Sequence, residues 1–136
     1  INDRMPEYCV ERAGKILNRF KKSLNGSKVL VLGVAYKQDI DDYRESPALR
    51  VIEELQKSGV ETVYFDPWVR EYKYKGEIHK SEPELTTELI ESADLVMVTA
   101  AHTNVDYELV QKHAQAVFDT KNVMKNLKNR DNIEVL

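Results

Sequence analysis

Residues 29–47 decide the fold of this chain, and they read VLVLGVAYKQDIDDYRESP. An apolar run leads to Gly33, a dense group of charged residues follows, and Ser46-Pro47 is typical of the start of a helix. The uninterrupted apolar run indicates a parallel strand that is buried on both faces. In an open α/β sheet, ligands bind beyond the carboxyl ends of the strands. We therefore expect a charged ligand near Lys37 and Arg44, whose side chains suit phosphate or carboxylate.

Apolar spacing predicts alternating helices and strands along the rest of the chain. We predict helices over residues 6–24, 46–58, 84–91 and 106–113, and strands over 28–36, 61–65, 95–99, 116–119 and, at an edge, 132–136. The first helix has Asp3 as a candidate cap, Pro6 in its first turn and Gly26 after its last turn. We interpret residues 68–83 as a surface loop with room for a short extra element. This alternation predicts a Rossmann-like three-layer α/β domain with a mostly parallel sheet, preceded by an N-terminal helix.

Length and composition exclude several classes of protein. The 136 residues are enough for about one domain, and the net charge of −3 argues against broad nucleic-acid binding. Alternating tyrosine and lysine at residues 72–75 suits a nucleic-acid surface, but no wider basic patch supports that interpretation. No apolar run approaches the roughly 20 residues needed to cross a bilayer, so we predict no membrane partner. The single cysteine, Cys9, favours a reducing compartment and a cytoplasmic protein, and we interpret it as a packing residue.

Polar residues follow each predicted strand. The dinucleotide fingerprint G-x-G-x-x-G is absent, since only Gly33 follows the first strand, so side chains are expected to hold the ligand. Asp66 either receives a ribose hydroxyl or forms an Asp-Pro turn, and we favour the turn. His102 is either an acid–base group or a structural histidine, and we favour the structural role. If their strands are neighbours, Lys37 and Lys121 face one crevice.

The acidic residues Asp39, Asp41 and Asp42 resemble a metal site in composition only. They lack the glycine and the terminal glutamate of a calcium loop, so we interpret them as caps of the next helix and counter-charges to Lys37 and Arg44. No cysteine and histidine set suits zinc, and no serine lies on a nucleophile-elbow turn. The sequence predicts no metal site.

The central motif resembles the carboxy-terminal UDP-binding domain of the UDP-glucose/GDP-mannose dehydrogenase family. The family pattern is a glycine, a small residue, Phe or Tyr, Lys, and then an Asp-x-Arg-x-Ser run, matched here between Gly33 and Ser46. The resemblance covers essentially the whole chain and includes Asn2 with Met5-Pro6, Tyr64 to Pro67, Ser92 to Asp94, and Phe118 to Asn122. The sequence from Ile40 to Ala48 is most similar to that of members that act on UDP-N-acetylhexosamines.

The resemblance implies a role in oxidising the C6 alcohol of a nucleotide sugar to the acid, with NAD as acceptor, for polysaccharide biosynthesis. It implies that Tyr36 and Lys37 contact the UDP-sugar, with Lys37 neutralising the diphosphate. By the same resemblance, Lys121 also contacts the UDP-sugar, at a position where many members have arginine. A lysine ammonium cannot form the two parallel hydrogen bonds that an arginine guanidinium forms. Arg44 reaches toward the cofactor or the active-site crevice. The family's glycine-rich NAD fingerprint and its catalytic cysteine, lysine and asparagine are missing from this chain, so we expect no catalytic residue here and no activity of the chain alone.

The resemblance also implies a domain division and partners. Residues 1–26 correspond to the tail of the central dimerisation helix, and residues 27–136 to the UDP-sugar-binding domain. The implied partners are the N-terminal NAD-binding domain, which holds most of the cofactor, the central domain, and a second copy in a homodimer. We expect the apolar stripe of residues 6–24 to be partly exposed and to drive association. The alternative is a non-catalytic nucleotide-binding or protein-interaction module of the same fold. A response-regulator-like domain is set aside, because the third strand ends at Thr99-Ala100-Ala101 without the aspartate that such a domain needs.

Overall fold

A computed structural model describes residues 5–136, so Asn2 and the candidate cap Asp3 lie outside the described residues. In chain order the elements are α1 (Met5–Asn18), β1 (Lys28–Leu32), α2 (Pro47–Lys57), β2 (Glu61–Phe65), β3 (Glu71–Tyr74), β4 (Glu77–Lys80), α3 (Thr87–Ser92), β5 (Leu95–Val98), α4 (Tyr107–His113), β6 (Val117–Asp119) and β7 (Ile133–Val135).

Five strands form one parallel sheet in the order β2-β1-β5-β6-β7. This arrangement confirms the predicted Rossmann-like α/β fold, including the N-terminal helix and the strand at the edge. From β1 the chain moves outward to β2 and then crosses to β5 on the other side of β1. The order therefore reverses between β1 and β5, and this point is where ligands bind in open α/β sheets.

Helices cover both faces of the sheet. On one face, Ile16 and Leu17 of α1 share a core with α2 and with Val29 and Val31 of β1. On the other face, Ile90 of α3 and Val110 of α4 share a core with the alternate residues of β1. Alternate residues of β1 thus enter different cores, which explains the apolar run that the sequence shows at this strand.

The first helix is shorter than predicted. It ends at Asn18 instead of Leu24, because Lys21 adopts a left-handed conformation with a φ of 61°. The backbone N–H of Lys22 then donates to the carbonyl of Leu17 at 3.1 Å, which is a common helix-ending bond. A lysine in place of the expected glycine therefore ends α1.

The partial exposure expected for the apolar stripe of residues 6–24 is found at Phe20 but not at the stripe residues within α1. Ala13, Ile16 and Leu17 are buried in the same core as the sheet, whereas Phe20, beyond the helix end, is 41% exposed. Cys9 is buried in this core as well, which confirms its packing role, and burial raises the pKa of its thiol. Among the described residues, α1 is thus an integral layer of the domain.

Other element boundaries differ from prediction by a few residues. The strand predicted over 28–36 ends at Leu32, because Gly33 turns the backbone with a φ of 90°. The helix predicted from Glu84 begins at Thr87, where the Thr86 hydroxyl accepts from the backbone N–H of Leu89 at 3.1 Å. The loop predicted over 68–83 contains the antiparallel hairpin β3–β4. In β3, Tyr72 points into the core and Lys73 outward, so strand alternation accounts for the tyrosine–lysine pattern.

Candidate functional site

The candidate site lies at the carboxyl ends of β1, β5 and β6. Gly33 begins the loop after β1, and it approaches Ala100 after β5 too closely for any side chain. A Cβ atom at Gly33 would lie 2.5 Å from the Cβ of Ala100 and 2.9 Å from its nitrogen. The Thr99 hydroxyl also donates to the Gly33 carbonyl. The loops after β1 and β5 therefore pack directly against each other at the point where the strand order reverses.

Asp66, at the end of β2, organises the loop after β1. Its carboxylate is fully buried, and Oδ2 accepts from the backbone N–H groups of Val34 at 2.7 Å and Ala35 at 3.2 Å. The other oxygen, Oδ1, accepts from Trp68 at 2.8 Å and Val69 at 2.9 Å. These last two bonds confirm the predicted turn. A role in binding ribose is wrong, because both oxygens are occupied and enclosed.

His102 joins Asp66 to the loop after β1. The imidazole is 1% exposed, its Nε2 lies 3.0 Å from Oδ2 of Asp66, and its Nδ1 accepts from the backbone N–H of Asp39 at 2.7 Å. The Asp39 carboxylate accepts from both the N–H and the hydroxyl of Thr103, each at 2.9 Å. This burial confirms the structural role of His102. Asp39 does not cap the next helix as predicted; it ties the loop after β1 to the loop after β5.

Electrostatics in this network favour the ionised carboxylates. Burial by itself would raise the pKa of Asp66, but hydrogen bonds from His102 and from the backbone N–H groups outweigh it and lower the pKa. Hydrogen bonds from Thr103 lower the pKa of Asp39. The network therefore carries negative charge at neutral pH beneath the exposed part of the loop.

Tyr36 and Lys37 lie on the exposed part of this loop. The backbone N–H of Tyr36 donates to the carbonyl of Asp42 at 2.7 Å, so the loop closes on itself, and the Tyr36 side chain is about half exposed. Lys37 is exposed and, within residues 5–136, its ammonium group makes no hydrogen bond or ion pair. Its charge is therefore available to an anion at the end of β1.

Lys121 follows β6 in a turn that resembles the one at Asp66. Buried Asp119 accepts from the backbone N–H of Lys121 at 3.1 Å and from that of Met124 at 2.9 Å. Only β5 separates β1 from β6, so the strand ends that carry Lys37 and Lys121 are about 10 Å apart. The structure brings these two predicted residues to the carboxyl end of the sheet. Like that of Lys37, the Lys121 ammonium group has no hydrogen bond or ion pair with a described residue.

Arg44 occupies a different position from the other predicted residues. Its guanidinium binds both carboxylate oxygens of Asp42, at 3.0 and 3.2 Å, which confirms the predicted role of Asp42 as its counter-charge and lowers the pKa of that carboxyl. Arg44 lines a groove of about 690 Å³ between the starts of α1 and α2 and strand β3. Tyr36, Lys37 and Lys121 do not line this groove. Ser46 caps α2 as predicted, accepting from the backbone N–H of Ala48 at 3.3 Å.

The loop after β1 does not fit the phosphates of a dinucleotide. In a dinucleotide cradle, free backbone N–H groups after the first strand face the pyrophosphate. Here the N–H groups of Val34 and Ala35 are bound to Asp66, and the side chains of Ala35 and Gln38 stand where the second and third glycines would be. The N–H groups of Val34 and Ala35 are therefore not available to a ligand, which leaves the projecting side chains of the loop as the expected contacts.

Residues 5–136 contain no group of three or more histidine, cysteine, aspartate or glutamate side chains placed to hold a metal ion. Within the same residues, no helix has the length and apolar character that crossing a membrane requires.

The chain is similar to a known protein family and to curated proteins. Residues 30–126 match the profile of the UDP-glucose/GDP-mannose dehydrogenase family, UDP binding domain. A UDP-N-acetyl-D-mannosamine dehydrogenase from Methanocaldococcus jannaschii is 34% identical over 132 residues, which are 91% of this chain and 28% of that protein. A UDP-N-acetyl-D-glucosamine 6-dehydrogenase from Pseudomonas aeruginosa is 29% identical over 69 residues, covering 51% of this chain and 16% of that protein.

Solved structures show the same relationship. The UDP-D-ManNAc dehydrogenase from Pyrococcus horikoshii superposes with a TM-score of 0.79 and 26% identity, over 98% of this chain and 31% of that one. The UDP-N-acetyl-mannosamine dehydrogenase from Staphylococcus aureus gives a TM-score of 0.68 and 32% identity, over 99% of this chain and 30% of that one. The chain thus spans less than a third of the length of each of these proteins.

Proposed function

The chain belongs to the UDP-glucose/GDP-mannose dehydrogenase family, and on this premise we propose that it binds the UDP portion of a UDP-sugar at the carboxyl ends of β1 and β6. The observation that carries the proposal is the match of residues 30–126 to a UDP-binding domain, since this range contains every predicted site residue. The proposed ligand-contacting residues are Tyr36, Lys37 and Lys121.

Local positive charge supports the binding of a diphosphate at the carboxyl end of the sheet. The chain as a whole carries a net charge of −3, so long-range attraction does not favour an anionic ligand and binding depends on local cations. Lys37 and Lys121 supply two ammonium groups on flexible four-carbon stems, from strand ends about 10 Å apart. In the proposed complex, Lys37 neutralises the diphosphate and the half-exposed ring of Tyr36 lies against the nucleotide. Lys121 adds a point charge.

The proposed parent activity is the NAD-dependent oxidation of the sugar C6 alcohol to a uronic acid, for polysaccharide biosynthesis. The names of the relatives favour a UDP-N-acetylhexosamine as the sugar nucleotide. Arg44 is the proposed contact toward the cofactor or the active-site crevice. NAD itself is assigned to an N-terminal domain outside this chain, because the Val34 and Ala35 N–H groups are bound to Asp66. The catalytic groups are placed outside the chain as well, so the chain alone is expected to be inactive.

The proposed organisation follows the same family. Residues 1–26 correspond to the tail of the central helix and residues 27–136 to the UDP-sugar-binding domain, even though α1 shares its core with the sheet. The proposed partners are the N-terminal and central domains of the same enzyme, which acts as a homodimer. The proposed location is the cytoplasm, since the single cysteine, Cys9, is buried and has no second cysteine to pair with.

Calorimetric titration of UDP into the chain tests the proposal. We expect saturable binding to one site, weakened at least about tenfold in Lys37→Ala, because a hydrogen-bonded ion pair with phosphate is lost. Lys112→Ala is the matched control: it removes an exposed lysine from the last turn of α4, at the opposite end of the sheet, and is expected to bind as the unaltered chain does. Equal affinities of the two variants, or no heat at millimolar UDP, would contradict the proposal and favour a protein-interaction module.

A further inference from the structure

A neutral imidazole is built into the candidate site. A backbone N–H group can only donate, so Nδ1 of His102, which lies 2.7 Å from the Asp39 nitrogen, must accept. The proton of the neutral ring then resides on Nε2, which donates to the Asp66 carboxylate at 3.0 Å. Both ring nitrogens are thereby used, and the ring is 1% exposed.

We infer that His102 is a positioning residue of the nucleotide site, which fixes the loop segment that presents Tyr36 and Lys37. This inference rests on the proposed function, because it assigns a role in UDP binding to a residue that UDP does not touch.

The contacts of residues 34–39 support this role. Asp66 holds the start of the segment through the N–H groups of Val34 and Ala35, and His102 holds its end through the N–H of Asp39. The bond between Asp66 and His102 links the two attachment points. Lys37 lies between them and makes no side-chain hydrogen bond within residues 5–136, so the backbone on either side determines where its ammonium group can reach.

The conformation of Asp39 shows why an attachment is needed at the end of the segment. Its φ of 58° lies in the left-handed region, which L-residues rarely adopt without support. The bond to His102 and the two bonds from Thr103 to its carboxylate supply that support. Loss of the His102 acceptor would leave the Asp39 N–H without its partner and release this end of the segment.

Two substitutions separate positioning from simple packing. In His102→Asn, the amide oxygen can take the place of Nδ1 and accept from Asp39, whereas His102→Leu fills similar space without an acceptor. We expect His102→Leu to weaken UDP binding at least about fivefold and to shift the backbone amide NMR signals of residues 36–39, while His102→Asn stays within about twofold of the unaltered chain. Ile90→Ala, a buried change in α3, should lower the thermal unfolding midpoint of the chain without altering its affinity for UDP.

The ¹⁵N chemical shifts of the His102 ring report which ring nitrogen carries the proton, a property that a purely packing role would not fix. We expect them to show the proton on Nε2. A proton on Nδ1, or equal UDP affinity and unchanged amide signals in His102→Leu, would overturn the inference. Failure of the unaltered chain to bind UDP would overturn the proposed function instead. In that case the ring tautomer and the amide signals of residues 36–39 would still decide whether His102 positions the loop.

Discussion

At the scale of single residues, Asp66 carries the geometry of the site. Its fully buried carboxylate accepts hydrogen bonds from four backbone N–H groups in two loops and from the His102 ring. Charge-assisted hydrogen bonds of this kind are stronger than neutral ones. They hold Asp66 ionised although burial opposes its charge, and they shape the loop that presents Lys37.

Asp66→Asn is therefore expected to lower the free energy of unfolding by about 3 kcal/mol, because an amide nitrogen would face buried donors that no longer have an acceptor. Urea unfolding monitored by circular dichroism measures this loss. Asp131→Asn, an exposed change near the chain end, is the control and should leave stability unaltered. A loss of less than about 0.5 kcal/mol in Asp66→Asn would show that the carboxylate charge is not needed.

The pH dependence of stability gives a second prediction for Asp66. Folding lowers its pKa, so its contribution to stability is fully present above the ordinary value of 3.8 and is lost as pH falls through the lower folded value. The difference in unfolding free energy between the unaltered chain and Asp66→Asn should accordingly shrink as pH drops below about 4. Urea midpoints measured from pH 6 to pH 2.5 test this, and a stability difference that stays constant with pH would show that folding does not lower the pKa of Asp66.

At the scale of elements, α1 is the part whose role differs most from the sequence interpretation. Its apolar stripe meets α2 and the sheet in one continuous core. Leu17 is fully buried there, while Phe20, three residues further along the same predicted stripe, is 41% exposed. The helix thus helps to stabilise the domain, whatever it contacts in a longer protein.

Leu17→Ala is expected to lower the free energy of unfolding by roughly 3 kcal/mol, since it leaves a cavity in this core. Phe20→Ala is the matched control and should cost less than about 1 kcal/mol, because the ring is partly solvated. Chemical denaturation of the two variants measures both. Similar small losses would mean that α1 is only loosely attached to the sheet.

Sequence patterns predicted the elements better than the contacts between them. The bounds of β2 were predicted correctly, as residues 61–65, because Gly59 and Asp66-Pro67 mark both of its ends. The end of α1 was predicted incorrectly, because Lys21 adopts the left-handed φ that glycine usually adopts at a helix end. Asp66 and His102 were each interpreted correctly, but their bond was missed, since it joins residues 36 apart through a strand order that no local pattern encodes. Asp39 was misassigned for the same reason, as its partner Thr103 lies 64 residues away.

At the scale of the whole molecule, the fold brings Lys37 and Lys121 to the same end of the sheet in a protein whose net charge of −3 would otherwise repel a nucleotide. The crossover from β2 to β5 places the loops after β1, β5 and β6 side by side, and buried aspartates fix the turns that precede Lys37 and Lys121. The chain spans less than a third of its relatives' length, so this edge is proposed as one side of a larger site. UDP is proposed to bind at these loops.

Chemical-shift mapping of the ¹⁵N-labelled chain during a UDP titration tests where UDP binds. Saturable shifts are expected to concentrate in residues 33–39 and 119–122, with the last turn of α4 and β7 unchanged. Shifts confined to the groove beside Arg44 or to the amino ends of the strands, or shifts that map to no single surface, would contradict UDP binding at this site.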